Sequence, residues 1–380
     1  MTRQALSTND HLNTLLIAVN APYHTGVDHD SYIEEFKSLI KTYGTSYDQI
    51  VSVKLRETDP SYFITKGKLD DIKKFCEEHK IEHVFISETL TPKQERNLKD
   101  FLNISMTDRT RLILDIFDKS ATSAEGKIQV QIAYLEHLKT RVSGKGIEFD
   151  QQSGSIGMRG GIGETAKEVE LRYLNEEVRK LKRSIEKMHS AREVQRKQRI
   201  KNQEPLICLI GYTNAGKSTI LNAMTNSNVL AENKLFATLD TTTKQLYVNH
   251  KKIGLLSDTV GFIQQLPPKL IDAFKSTLSE LQYANLLLHV VDLTNRNWEA
   301  HIETVHQILD DLGVHKDMLY VFNKADLVTD LESMLPKINL YQPNVVISTK
   351  SENGMQELLT YLTKWHQQRN PVVVSEEIEE

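Results

Sequence analysis

At 380 residues, with hydrophobic side chains at 39% and charged ones at 26%, the chain is long enough for two or three domains, each with its own core. A formal net charge of −4 excludes a globally basic surface, so any basic face has to be local. Cys76 and Cys208 lie far apart and exclude a disulfide scaffold or a cysteine-ligated metal centre. No stretch has a signal-peptide core or reaches ~18 consecutive apolar residues, so a cytoplasmic chain without a membrane span is expected.

Residues 14–108 alternate strand-like and helix-like patterns. The run "TLLIAV" (14–19) is followed by an amphipathic segment from Tyr32 to Tyr43 and by "IVSVKL" (50–55). A helical stretch over 68–78, the run "HVFIS" (83–87), a helix after Pro92 and "NISM" (103–106) complete it. Strands separated by helices predict right-handed crossovers and a small, mostly parallel sheet, so 1–108 is expected to be an N-terminal α/β domain.

Residues 109–201 carry a different period. Ile128, Ile132, Leu135, Leu138 and Val142 recur at spacings of three and four, and the pattern resumes at Leu171, Leu174, Val178, Leu181, Ile185 and Met188. That is a coiled-coil seam, and two such helices joined by a long loop make an antiparallel helical hairpin. The second helix also bears Arg172, Arg179, Lys180, Lys182, Arg183, Lys187, Arg192, Arg196, Lys197, Arg199 and Lys201 against few acids. Such an excess suits a phosphate-binding face, although a solvated coiled-coil face explains the charge equally well. The joining loop, "SGSIGMRGGIGET" (153–165), has five glycines and one arginine. It lacks the preceding strand of a dinucleotide fingerprint, which leaves a flexible or RNA-contacting tip or a plain linker.

The strongest signal is "LICLIGYTNAGKSTILNAM" (206–224). An apolar strand runs into Gly211-x-x-x-x-Gly216-Lys217-Ser218, and a helical pattern follows. Glycines let successive backbone N–H groups approach phosphates, Lys217 supplies charge to the β and γ groups, and Ser218 offers magnesium a hydroxyl. The segment "KLFATLDTTTK" (234–244) supplies threonines for a γ-phosphate-sensing switch. Thr238 is the choice among them, with Thr241, Thr242 and Thr243 as alternatives. In "SDTVGFI" (257–263), Asp258 and Gly261 occupy the positions that face magnesium and the γ-phosphate. The next residue, Phe262, replaces the glutamine that orients water in Ras-like enzymes. "VFNKADL" (321–327) places Asn323-Lys324-Ala325-Asp326 after a strand, where the Asp326 carboxylate can accept from guanine N1–H and its exocyclic amine. Ser348-Thr349-Lys350 follows another strand and can cover the base. Five signals in this order predict a GTP-binding domain at 205–365.

Together these motifs resemble the HflX family of GTPases. The likeness rests on "GYTNAGKST", "LFATLDTTTK", "DTVGFI", "NKAD", "DRTRLILDIFDKSATSAEGKIQVQIAYLEHLKTR" (108–141) and "GSIGMRGGIGETAKEVELR", and covers roughly residues 10–365. It departs from the family's usual pattern at Thr241 and at Gly161 or Ile162, where a proline is usual. It departs again at Thr349, in a closing motif that usually reads Ser-Ala-Lys, and at Leu171, where a basic residue is usual. Residues 366–380 form a short acidic tail.

The fold expected is α/β: a P-loop GTPase domain with a mainly parallel sheet, preceded by a small α/β domain and a helical coiled-coil hairpin. The resemblance implies a GTPase that associates with the large (50S) ribosomal subunit and its rRNA and splits stalled or idle ribosomes under stress, hydrolysis resetting the switch. An ATP-driven RNA remodeller using ATP at the N-terminal domain, with GTP regulatory, and a GTP-dependent ribosome-assembly platform are the alternatives. A monomer is expected, with peripheral membrane association left open. GTP or GDP and Mg2+ are the expected ligands. Lys217, Thr238 and Gly261 carry the expected catalytic roles, and Ser218, Thr238 and Asp258 the magnesium. The nucleotide contacts expected are Gly211, Tyr212, Thr213, Asn214, Ala215, Gly216, Lys217 and Ser218, then Phe236, Ala237, Thr238, Leu239 and Asp240. Asp258, Thr259, Val260 and Gly261 follow, with Asn323, Lys324, Ala325, Asp326, Ser348, Thr349 and Lys350 around the base.

Overall fold

The apolar runs at 14–19 and 84–87 become strands buried on both faces, as a parallel sheet between helices requires, whereas the run at 49–54 lies at the sheet edge and is largely exposed. The computed structural model describes residues 13–24, 28–144, 166–202, 204–225, 234–236, 241–265, 267, 270 and 279–369. The chain divides into two compact units, Met1–Lys119 with Val130–Arg183 and Ser120–Gln129 with Ser184–Glu380.

In the first unit, β1 (Thr14–Asn20) lies between β2 (Gln49–Lys54) and β3 (His83–Ile86), with β4 (Ser105–Thr107) beside β3. All three pairings are parallel, in the order β2-β1-β3-β4. The crossovers are α1 (His29–Tyr43), α2 (Lys66–Glu78) and α3 (Pro92–Leu102). Local chemistry sets their ends. The Asp28 carboxylate accepts from Ser31 N–H at the start of α1, and Gly44 closes it at φ 90°. Thr91 and Gln94 form a reciprocal capping box at α3, with proline at its start. Leu15, Ile17, Val19, Ile72, Val84, Ile86 and Leu98 fill the core.

Helix α4 (Arg109–Ser120) buries Leu112, Ile113, Leu114, Ile116 and Phe117. The Arg109 guanidinium pairs with Glu35 in the interior. A new helix, α5 (Ala124–Gly144), begins where Gly126 N–H donates to the Ser123 hydroxyl at 2.9 Å. Its Arg141 is clasped by Glu95 and Asp108, each at 3.0 Å. Helix α6 (Ala166–Lys201) carries the second half of the seam. Ile132, Val142, Leu174 and Val178 are buried and the other seam positions half-buried, whereas Arg172, Arg179, Lys180, Lys182, Arg183 and Lys187 are exposed. Lys182 of α6 approaches Glu136 of α5 at 3.8 Å. The glycine-rich loop 153–165 lies outside the described residues, as do the side chains of Arg192, Arg196 and Lys197.

In the second unit, β5 (Leu206–Gly211) is buried throughout and forms the middle of a sheet of order β10-β9-β8-β5-β7-β6. Helix α7 (Lys217–Thr225) follows β5. Strands β6 (Thr242–Val248) and β7 (Lys251–Asp258) form the one antiparallel pair among the described strands. Their two-residue turn, Asn249-His250, has positive φ at both positions, the backbone that matches strand twist in a hairpin. Then come β8 (Leu286–Asp292), α8 (Trp298–Asp311), β9 (Met318–Asn323), α9 (Leu331–Ile338), β10 (Asn344–Val346) and α10 (Gln356–Arg369). From β5 the chain builds first toward β7 and then, from β8 on, to the other side. The carboxyl end of β5 is therefore a topological switch point, where open α/β sheets place their ligands. No described helix is long and apolar enough to cross a membrane. Of the acidic tail, 366–369 end α10 and 370–380 lie outside the described residues.

Candidate functional site

The predicted phosphate loop spans the turn between β5 and α7, and its two glycines are required by geometry. Gly211 has φ 143°, and a Cβ on it would stand 2.3 Å from the Val290 carbonyl oxygen of β8. Gly216 has φ 99°, and a Cβ there would meet Asn323 Nδ2 at 2.3 Å. That close approach has a purpose, because Asn323 Nδ2 donates to the Ala215 carbonyl at 2.9 Å. Lys324 Nζ donates to the Asn214 carbonyl at 2.9 Å and pairs with Asp292 at 2.6 Å. The first two residues of the predicted base-reading motif thus brace the phosphate loop from the end of β9.

Lys217 is buried, and its Nζ donates to the carbonyls of Gly211 at 3.1 Å and Tyr212 at 2.9 Å. Burial lowers its pKa to about 8, with Asp258 pulling the other way. Ser218 Oγ donates to Asp258 Oδ2 at 2.6 Å, and Asp258, closing β7, is fully buried. Thr259 Oγ1 donates to the Leu209 carbonyl at 2.6 Å, which ties the start of the 258–263 segment to β5. Phe262 is bonded on both sides: its N–H donates to Gly211 O at 3.2 Å and its carbonyl accepts from Thr213 N–H at 2.7 Å. Val260 and the Phe262 ring are buried.

At the far end of the site, Ser348 Oγ donates to Asp326 Oδ1 at 2.6 Å. The same hydroxyl accepts from Lys350 N–H at 3.2 Å and Ser351 N–H at 3.1 Å. Asp326 is exposed, Thr349 half-buried and Lys350 exposed, so the carboxylate is oriented by its neighbours and open to a base. Ala325 N–H donates to the Ile347 carbonyl at 3.2 Å, binding this loop to the 348–350 segment. The phosphate loop, Asp258–Gly261, Asn323–Asp326 and Ser348–Lys350 therefore converge at the carboxyl ends of β5, β7, β9 and β10. Phe236 is buried with φ 55°. Ala237, Thr238, Leu239 and Asp240 lie outside the described residues.

Three residues of the site were missed in the sequence reading. Asp292, the partner of Lys324, ends the apolar strand "LLLHVVD" just as Asp258 ends β7, and that parallel was a usable signal. His301 of α8 stacks on Tyr212 with centroids 3.6 Å apart and planes 2° from parallel. The Gln264 N–H donates to the Tyr212 hydroxyl at 2.7 Å. Neither contact has a local sequence signature.

Three family models match consecutive parts of the chain. They are described as GTP-binding GTPase N-terminal (residues 30–118), GTP-binding GTPase Middle Region (120–199) and 50S ribosome-binding GTPase (206–324). The chain is 40% identical over 328 residues to the GTPase HflX of Caldanaerobacter subterraneus subsp. tengcongensis, covering 86% of this chain and 75% of that one. It is 38% identical over 334 residues to the GTPase HflX of Escherichia coli, covering 87% and 78%. Among solved structures, a GTP-binding protein from the archaeon Sulfolobus solfataricus in complex with GDP is similar at 24% identity and a TM-score of 0.45, over 94% of this chain and 100% of that one.

Proposed function

Because the chain belongs to the HflX family of GTPases, we propose that it uses GTP binding at the β5 switch point to engage the large ribosomal subunit and split stalled or idle ribosomes. That it is a GTPase follows from the family. The observation carrying the nucleotide site is the convergence of four motifs on one edge of one sheet, with phosphate, metal and base groups in the order a guanine nucleotide needs, and the ribosomal target rests on the family match.

Backbone N–H groups of Gly211–Ser218 and the start of α7 cradle the phosphates, and Lys217 adds charge. The buried carboxylate of Asp258 and the Ser218 hydroxyl, 2.6 Å apart, are hard oxygen donors of the kind magnesium takes. Thr238 is proposed as a third. The ion, when bound, neutralises charge on the phosphates. Asp326, aimed by Ser348, reads guanine by accepting two hydrogen bonds, and adenine offers neither. Phe262 offers no polar side-chain atom to a water molecule, so hydrolysis on the isolated chain is slow and the ribosome supplies what is missing. The exposed basic side chains of α6 contribute phosphate contacts to rRNA. Contacts to the γ-phosphate make the site a switch, because only GTP can bias the segments around Thr238 and Gly261.

The test is GTP turnover with and without purified large subunits, together with sedimentation profiles of whole ribosomes. Stimulated turnover and GTP-dependent conversion of whole ribosomes into subunits are expected. Unchanged profiles with stimulated turnover would leave a ribosome-binding GTPase that does not split.

A further inference from the structure

Residues 261–264 are held on the phosphate loop by more than proximity. Phe262 exchanges backbone hydrogen bonds with Gly211 and Thr213, forming a parallel bridge beside Tyr212. The Tyr212 hydroxyl accepts from Gln264 N–H at 2.7 Å. The Tyr212 ring is itself fixed by the face-to-face stack on His301, 3.6 Å away. Burial lowers the His301 pKa to about 4, so near neutral pH the stack joins two uncharged rings. One aromatic side chain of the phosphate loop therefore touches both α8 and the segment after Asp258.

What this closes is visible at Gly261. A Cβ there would lie 2.7 Å from Thr213 Cγ2, 2.9 Å from Thr213 Cα and 3.0 Å from Lys217 Nζ. Gly261 thus packs directly on Thr213 and the Lys217 ammonium, leaving no phosphoryl-sized space between them. Lys217 meanwhile gives two of its three ammonium donors to the carbonyls of Gly211 and Tyr212. For Lys217 and the Gly261 backbone to share a γ-phosphate, the 261–264 segment has to withdraw. A nucleoside diphosphate makes no such demand.

We propose that Tyr212 is a specificity-determining residue that sets the preference between GDP and GTP, by latching residues 261–264 onto the phosphate loop in a GDP-compatible, GTP-excluding arrangement. GTP binding then includes the work of breaking the Tyr212–Gln264 hydrogen bond and the Phe262 bridge. Of these, the hydroxyl bond is the one that a single substitution removes without altering the backbone. The proposal rests on the nucleotide-site reading above, and the experiment separates the two.

Fluorescent GDP and a fluorescent non-hydrolysable GTP analogue are titrated, with magnesium, into the full chain and into Tyr212→Phe and His301→Leu. Tyr212→Phe keeps the ring and deletes the hydroxyl that accepts from Gln264 N–H in the latched arrangement. It should raise affinity for the analogue relative to GDP about fivefold, the equivalent of about 1 kcal/mol for one hydrogen bond. His301→Leu removes the stacking partner and should shift the ratio the same way. Hydrogen exchange at amides 262 and 264 should be slow with GDP, fast with the analogue, and faster in Tyr212→Phe with GDP. A merely structural role for Tyr212 would weaken both nucleotides together. Ratios within twofold of the unsubstituted chain in both variants would overturn the latch while leaving the nucleotide site standing. Failure of the unsubstituted chain to bind either nucleotide would overturn both.

Discussion

Asp326→Asn is the substitution that bears most directly on base recognition. Asp326 is exposed, and Ser348 Oγ donates to its Oδ1 at 2.6 Å while holding the amides of Lys350 and Ser351. Asparagine keeps a carbonyl oxygen for Ser348, so the loop survives and the change is confined to the edge facing the base. There it exchanges a charged acceptor for a neutral side chain that presents an N–H2 group to the guanine amine. Each hydrogen bond to a charged group contributes ~1.5–3 kcal/mol, so losing two costs ~3–6 kcal/mol. One carboxylate oxygen already serves Ser348, which argues for the low end, about 3 kcal/mol, or ~10²-fold weaker GTP binding. Xanthine carries a carbonyl where guanine carries its amine and should gain what guanine loses. Competitive titration of GTP and XTP against a fluorescent guanine nucleotide measures both, with a thermal melt to verify folding. A folded variant whose GTP affinity stays within threefold of the unsubstituted chain would refute the assignment of Asp326 to the base.

Lys217→Ala removes the buried ammonium held by the Gly211 and Tyr212 carbonyls, and should lower ribosome-stimulated GTP turnover by at least ~10²-fold and abolish GTP-dependent subunit separation; normal separation by this variant would sink the switch. Changing Arg179, Lys180, Lys182 and Arg183 together to Gln should weaken large-subunit binding most at low salt and flatten its salt dependence, since exposed cations act by releasing counterions; an unchanged slope in a salt titration would return that face to a structural role. His289 is buried in β8, and burial, with smaller contributions from His306 and Lys217, lowers its pKa to about 3. Between pH ~6.5 and 3 the unfolded imidazole takes a proton that the folded one refuses, so its contribution is complete above ~6.5 and is lost as pH falls through that window. Thermal melts from pH 7 to 4 should show the decline, and His289→Leu should make it shallower; identical slopes would show that His289 titrates alike in both states.

How much of this was legible in the sequence depends on how local the cause is. The strand runs "TLLIAV" and "LICLIG" became β1 and β5, buried almost throughout, because short continuous apolar segments suit central parallel strands. Gly211 and Gly216 could be placed because their spacing encodes a backbone path, and the structure gives the reason in φ and in the contacts that a Cβ would make. Chain order alone put the helix after Pro92 on the sheet, and its capping box did the rest. What stayed hidden has its cause far away along the chain. Asn323 and Lys324 read as parts of a base motif, yet their hydrogen bonds run to Ala215 and Asn214. His301 looks like one more polar position on an amphipathic helix until Tyr212 is seen lying on it. The start of α5 sits between: the Ser123 cap is a local signal, but the seam period across 128–142 does not mark where the helix begins.

Phe262 joins the two kinds of evidence. Its sequence position states only what it cannot do, since a phenyl ring cannot orient water. Its structural position states what it does: the ring is buried, and its amide and carbonyl pair with Gly211 and Thr213. A glutamine there would carry a polar group into the same interior, where it would need partners or cost stability. An apolar side chain stabilises the docked arrangement without that demand. The residue that withholds a catalytic group thus also strengthens the contact that GTP must break. On the proposed function, slow turnover and a closed phosphate loop share one cause, and a partner that draws residues 261–264 away from the loop would relieve both at once.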